Sequence, residues 1–182
     1  MASKLLLLYA LMALGAVLLQ VAFGGTVLAL WVTDGVDPSA PTLDVAAGVG
    51  LGLATVLATR LMSARFAWAR RIDDEFREML APLDARNVAS LAFMSGLAEE
   101  MFFRGFLQPH LGLWATSLLF GAAHLPHRRH QIPWTVAAAV MGLALGRIFE
   151  LRGSLLGPFL AHFTINYFNL HHLLRPLAPE DA

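Results

Sequence analysis

Two adjacent glutamates, Glu99 and Glu100, stand in an otherwise apolar stretch, and Arg104 follows Glu100 by four residues. On a helix that spacing stacks Arg104 over Glu100 on one face, where the guanidinium neutralises the carboxylate. Glu99 points about 100° away around the helix and keeps no cation. A carboxylate without a partner, held away from bulk water, suits a general base that takes a proton from a water molecule. His124 ends a second apolar stretch one turn after Phe120, while His162 and Asn166 share one face of a third at i and i+4. One imidazole can share or relay the proton, and a second imidazole with an amide can donate hydrogen bonds to a developing oxyanion. Water-dependent peptide hydrolysis uses all of these groups.

The runs that carry them are long enough for a bilayer. Of 182 residues, 57% are hydrophobic and 14% charged, against ~25% charged in soluble domains. Thirteen Lys and Arg balance thirteen Asp and Glu, so the basic footprint of a nucleic-acid binder is missing and no such partner is expected. With no cysteine, disulfides, thiolate metal ligands, iron–sulfur clusters and a thiol nucleophile are excluded. Apolar segments cover residues 5–32, 43–62, 88–107, 111–125, 132–149 and 155–174, and a spanning helix needs about 20 residues. The first follows Lys4 but exceeds the ~7 to 15 residues of a signal-peptide core, so it reads as an anchor. Residues 63–86 interleave arginines and carboxylates with Phe66, Trp68, Ile72, Phe76, Met79 and Leu80 at helical spacing, the pattern of an amphipathic helix lying on a membrane surface.

The expected fold is therefore all-α: a single integral-membrane domain over residues 1–182, with about six transmembrane helices and one amphipathic interfacial helix. Two helices within 1–62 precede the surface helix and a motif-bearing core at 88–170. Arginines 60, 65, 70, 71, 77, 86, 128, 129 and 175 gather on one side, residues 33–44 hold three Asp and no base, and Arg147 and Arg152 run against the trend. This predicts a multi-pass protein of the cell membrane with both termini, the surface helix and the 126–131 loop in the cytoplasm. Glu99 then lies about 16 Å into its helix, whereas His124 ends a fifteen-residue segment at the cytoplasmic side. For the two to meet, that segment must be short and Leu125–Gln131 must dip inward, forming a water-filled funnel with His127, Arg128, Arg129 and His130 at its rim.

Three motifs now stand in order: Glu99-Glu100-Met101-Phe102-Phe103-Arg104 matches EExxxR, Phe120-Gly121-Ala122-Ala123-His124 matches FxxxH, and His162-Phe163-Thr164-Ile165-Asn166 matches HxxxN. Over roughly residues 88–170 the chain resembles the CPBP family, which contains the CAAX prenyl endopeptidases and bacterial relatives with bacteriocin-processing or self-immunity roles, known as glutamic intramembrane proteases. The resemblance implies Glu99 as the base activating water with His124 assisting, His162 and Asn166 as the oxyanion hole, and Glu100 with Arg104 holding the site together. It implies no cofactor, and as partners the lipid bilayer and a membrane-embedded or lipidated protein or peptide, cut near its carboxyl terminus. Phe103, Phe120 and Phe163, close to the motifs, are candidates for a substrate groove.

Other chemistries stay open. Glu99, His124 and His162 could ligate zinc with water in the fourth position, although HExxH is absent. His124, His127 and His130 could also hold a metal. Ser95 before Gly96 invites a serine mechanism but lacks the GxSG context, and the aspartates lie in loops, at the entry to the second apolar segment (Asp44), in the surface segment or in the tail. A nonproteolytic peptide-binding or immunity protein could keep the fold, and a small transporter could use Glu100 and Arg104 along an ion path.

Overall fold

The apolar runs fold as helices whose joins fall where Gly, Pro and charged residues interrupt them. The computed structural model describes residues 1–33, 41–124 and 128–175. Its elements are α1 (Ala2–Ala22), α2 (Pro41–Arg65), α3 (Ala67–Leu80), α4 (Val88–Glu100), a π-helical segment (Met101–Leu107), α5 (Gln108–Ala123), α6 (Ile132–Arg152) and α7 (Leu156–Leu173). Among the described residues the only strand-like pairing is an isolated bridge between Val32 and Ser154.

The protein is a helical membrane bundle. Among the described residues, three helical stretches are by themselves long and apolar enough to cross a membrane: α1, α2 and Arg129–Arg152. That is fewer than the six expected, for local reasons. Helix α4 has 13 residues before the π-helical segment interrupts it, α5 has 16 and is kinked, and α7 carries His162, Asn166, Asn169, His171 and His172. The surface helix is also shorter than residues 63–86. Ser63, Ala64 and Arg65 extend α2, extended backbone at Phe66 breaks the run, and α3 ends at Leu80.

The bundle has two distinguishable ends. At one, the Thr33 N–H donates to the Gly153 carbonyl and the Leu155 N–H to the Trp31 carbonyl, and Arg152 Nε donates to Asp44 Oδ1 at 2.6 Å. At the other, α3 meets the end of α7, where Arg77 donates to the carbonyls of His172 and Leu173 at 3.4 Å, orphan acceptors that a helix C-terminus must satisfy from outside. Leu5 and Leu6 of α1 pack at this same end against Leu80, Leu83 and Leu91.

Between those ends the π-helical segment and α5 form a helical hairpin. Gly112 adopts φ 77° and ψ 169°, backbone accessible to glycine but costly for residues with a Cβ. The chain reverses there: the Arg104 guanidinium sits 4.3 Å from the Phe120 ring centroid, and the Phe103 and Phe120 rings meet edge to face at 5.0 Å. From Glu99 up to Gly112 is about 19 Å and from Gly112 back to His124 about 18 Å at 1.5 Å per residue. Equal arms return His124 to the depth of Glu99, so a short α5 removes the depth mismatch.

Helix α3 buries Ala69, Ile72 and Leu80 and ties down the turn before α6. Glu75 accepts hydrogen bonds from His130 Nε2 at 2.8 Å, Gln131 Nε2 at 2.8 Å and Arg128 at 3.2 Å. The His130 hydrogen bond is the largest cause holding the Glu75 carboxyl below its ordinary value.

Two outcomes follow. Because the Glu75 pKa is lower in the folded state, its contribution to docking α3 is full above the ordinary carboxylate range and is lost as pH falls through the depressed value. Hydrogen exchange in α3, corrected for intrinsic rate, should accelerate on acidification in the wild type, whereas Glu75→Gln should exchange faster already at neutral pH and respond less to acid. Gly112→Ala has open space for its Cβ but keeps the backbone strain, and thermal melting in detergent should register a loss of about 1–3 kcal/mol.

Candidate active site

The buried half of the site is a chain of charges across three elements. Arg104, 1% exposed in its side chain, donates to Glu100 Oε1 at 3.1 Å, with Glu100 fully buried. The other guanidinium nitrogen donates to the Gly142 carbonyl of α6 at 3.2 Å. Glu100 Oε1 also faces His162 Nδ1 at 2.7 Å. A carboxylate beside Arg104 accepts, so Nδ1 carries the hydrogen and His162 Nε2 is turned toward the cavity.

Glu99 stands outside this chain. Its Oε2 lies 4.0 Å from His124 Nε2 and 3.9 Å from His162 Nε2, and this buried oxygen has no hydrogen-bond partner among the described residues. Both separations are too long for a direct hydrogen bond and short enough for one water between the groups. Two hydrogen bonds fix His124 in the orientation such a water requires. Its Nδ1 pairs with the Phe120 carbonyl at 2.8 Å, which can only accept, and Thr135 Oγ1 donates to the His124 carbonyl at 2.6 Å. Its Nε2 is thereby the acceptor nitrogen in the neutral ring.

Helices α4 and α7 run antiparallel, which turns two i, i+4 pairs into two rungs. Glu99 faces His162, and one turn away Asn166 Nδ2 donates to Ser95 Oγ at 2.9 Å. Gly96 permits the approach, since a Cβ there would meet the Phe163 backbone nitrogen at 3.3 Å.

Glu99, His124, His162 and Asn166 all line one cavity of about 760 Å³, together with Tyr9 of α1, Ser95, Phe103, Trp134, and Trp68, Ile72 and Phe76 of α3. The other two groove candidates do not line it. Phe120 is buried under Arg104, and Phe163 packs with Phe93, Phe159 and Tyr167. Nor do Arg128, Arg129 and His130 form its rim: the turn they occupy is drawn to Glu75, and Pro133 and Trp134 reach the cavity instead. His127, like the rest of 125–127, lies outside the described residues, as does the acidic stretch 34–40. Motif spacing does not single out Tyr9, although an isolated phenol in an otherwise aliphatic helix is a visible signal. The cover supplied by α3 is a tertiary feature with no motif of its own.

Among the described residues, no group of three His, Asp or Glu side chains is arranged to hold a metal ion. Tetrahedral zinc with bonds of about 2.0–2.1 Å sets its ligand atoms about 3.4 Å apart, closer than the separations between Glu99 and the two histidines.

The division between Glu99 and Glu100 is measurable. Glu100→Ala or Arg104→Ala leaves a buried charge without its partner, at a cost of about 3–5 kcal/mol, and should sharply reduce folded protein on size-exclusion chromatography. Glu99→Gln should melt within a few degrees of the wild type.

Residues 82–168 match the family model described as type II CAAX prenyl endopeptidase, Rce1-like. The uncharacterized protein YpbD of Bacillus subtilis (strain 168) is 39% identical over 80 residues, which cover 44% of this chain and 42% of YpbD. The matched stretch thus spans less than half of that relative's length. No solved structure matches the chain significantly. The segment that holds Glu99, His124, His162 and Asn166 thus lies within a match to the Rce1-like family of type II CAAX prenyl endopeptidases that covers just under half of the chain.

Proposed function

We propose that this protein is an intramembrane endopeptidase that hydrolyses a peptide bond of a membrane-associated substrate with a water activated by Glu99. One observation carries the reading: the partnerless Oε2 of Glu99 faces the Nε2 atoms of two histidines from two other helices, at a spacing that fits one water, inside a cavity of about 760 Å³. In the reaction Glu99 takes a proton from that water as the water oxygen bonds to the scissile carbonyl carbon. The carbonyl π pair moves to oxygen, and the Asn166 amide and His162 Nε2–H donate to the oxyanion. For His162 this requires the imidazolium, the form in which Nδ1 faces Glu100 and Nε2 also carries hydrogen. When the C–N bond breaks, its electron pair stays on nitrogen, which takes the proton held by Glu99 or passed through His124. The products leave as a carboxylic acid and an amine, and the acid gives up the second proton of the water to solvent.

The cavity lining is mainly apolar and aromatic, and one wall is the amphipathic α3, which favours a lipidated or hydrophobic peptide reached from the membrane surface. A cut near the substrate's carboxyl terminus is part of the proposal. So is an orientation with both termini and α3 in the cytoplasm, where arginines 65, 70, 71, 77, 86, 128, 129 and 175 concentrate. The reaction is proposed to need no metal.

The test is cleavage of a co-expressed, tagged membrane substrate. Glu99→Gln should lower the rate by about 10²–10⁴-fold while remaining folded, and a zinc chelator should leave the wild-type rate unchanged. Equal cleavage by wild type and Glu99→Gln would overturn the glutamate mechanism, and chelator inhibition would transfer the reading to zinc. Substrates retained by Glu99→Gln and identified by mass spectrometry would define the cut.

A further inference from the structure

Resting on that reading, we propose that Ser95 is a positioning residue that orients the Asn166 amide toward the oxyanion. Ser95 lies one turn before Glu99 on the same face of α4, is 4% exposed and lines the cavity. Its hydroxyl has one hydrogen, and that hydrogen is directed at the Ala92 carbonyl at 3.2 Å. The Oγ therefore presents lone pairs to α7, and Asn166 meets them with Nδ2 at 2.9 Å. An amide carbonyl turned to Ser95 would set two acceptors against each other, so the hydroxyl selects which way round Asn166 stands.

The selection matters because an asparagine amide has two faces of opposite polarity. With one Nδ2 hydrogen on Ser95, the second is the one available to a developing negative charge, and Nδ2 has no other partner among the described residues. Flipped, the amide would offer Oδ1, which repels an oxyanion. The adjacent rung reinforces the arrangement, since His162 is fixed by Glu100 as Asn166 is fixed by Ser95.

The same bonds account for a serine buried beside Gly96 that is not a nucleophile. Among the described residues no imidazole accepts from its Oγ, and its proton is committed to a backbone carbonyl. Orientation of the amide is the role left for it, and that role has a signature distinct from nucleophilic attack.

A double-mutant cycle with Asn166 tests this on the membrane-reconstituted protein, with the substrate recovered by the Glu99→Gln trap. Ser95→Ala should lower kcat about tenfold and leave KM within twofold. The nearly isosteric Ser95→Cys, a weak acceptor, should do the same and guards against a packing effect. In the Asn166→Ala background neither change should lower kcat further, because there is no amide left to orient. Wild-type kcat in folded Ser95→Ala or Ser95→Cys would overturn the inference. So would losses that multiply in the double variant, and so would Ser95→Ala being as inactive as Glu99→Gln, the mark of a nucleophile. In all three the glutamate mechanism survives if Glu99→Gln is inactive. If Glu99→Gln retains full activity, the underlying reading has failed instead.

Discussion

A single guanidinium holds the core of this bundle together. Arg104 reaches Glu100 on its own helical run, the Gly142 carbonyl on α6 and the face of Phe120 on α5, and through Glu100 it reaches His162 on α7. Each group alone would be expensive to bury, since desolvating an unpaired charge costs several kcal/mol. Joined, they compensate one another in large part, with Glu100 Oε2 and Arg104 Nε left without a hydrogen-bond partner among the described residues, and the compensation works only when all four helical elements are in place. The ion pair therefore specifies an arrangement of helices, which apolar contact between lipid-facing segments does weakly because lipid tails are as apolar as the side chains they touch.

The position of Glu99 follows from that constraint. Adjacent glutamates on a helix cannot point the same way, so fixing Glu100 inward to Arg104 turns Glu99 toward the cavity, where its oxygen has no partner. The π-helical segment beginning at Met101 sits directly after the pair, a location where such segments often accompany functional sites. Gly112 then returns the chain at the right length for His124 to face Glu99. On the other side, the antiparallel course of α7 aligns His162 and Asn166 with Glu99 and Ser95, and Gly96 lets the two helices come close enough for those rungs to form.

Water access and apolar character meet at α3. Its inner face contributes Trp68, Ile72 and Phe76 to the cavity, while its outer face carries arginines and carboxylates. The helix is held by Arg77 on the end of α7 and by Glu75 on the turn before α6. These are polar contacts near the surface, weaker than the buried Arg104 set, so the wall over the site is held less firmly than its floor.

Much of this was readable before any fold was known, because it depends on periodicity. A four-residue interval pairs Glu100 with Arg104 and His162 with Asn166, interleaved charges mark α3, and long apolar runs mark α1, α2 and α6. Other features depend on distances between residues far apart in the chain, which periodicity does not encode. Only the tertiary structure decided that His162 is bound to Glu100, that Phe120 supports Arg104 while Phe163 packs away from the cavity, and that α3 covers the site. The same holds for Ser95, whose hydroxyl takes its meaning from an amide 71 residues away. Local spacing determined which groups share a helix face. Which faces meet was decided by the cost of burying charge without a partner, a condition that the whole bundle must satisfy at once.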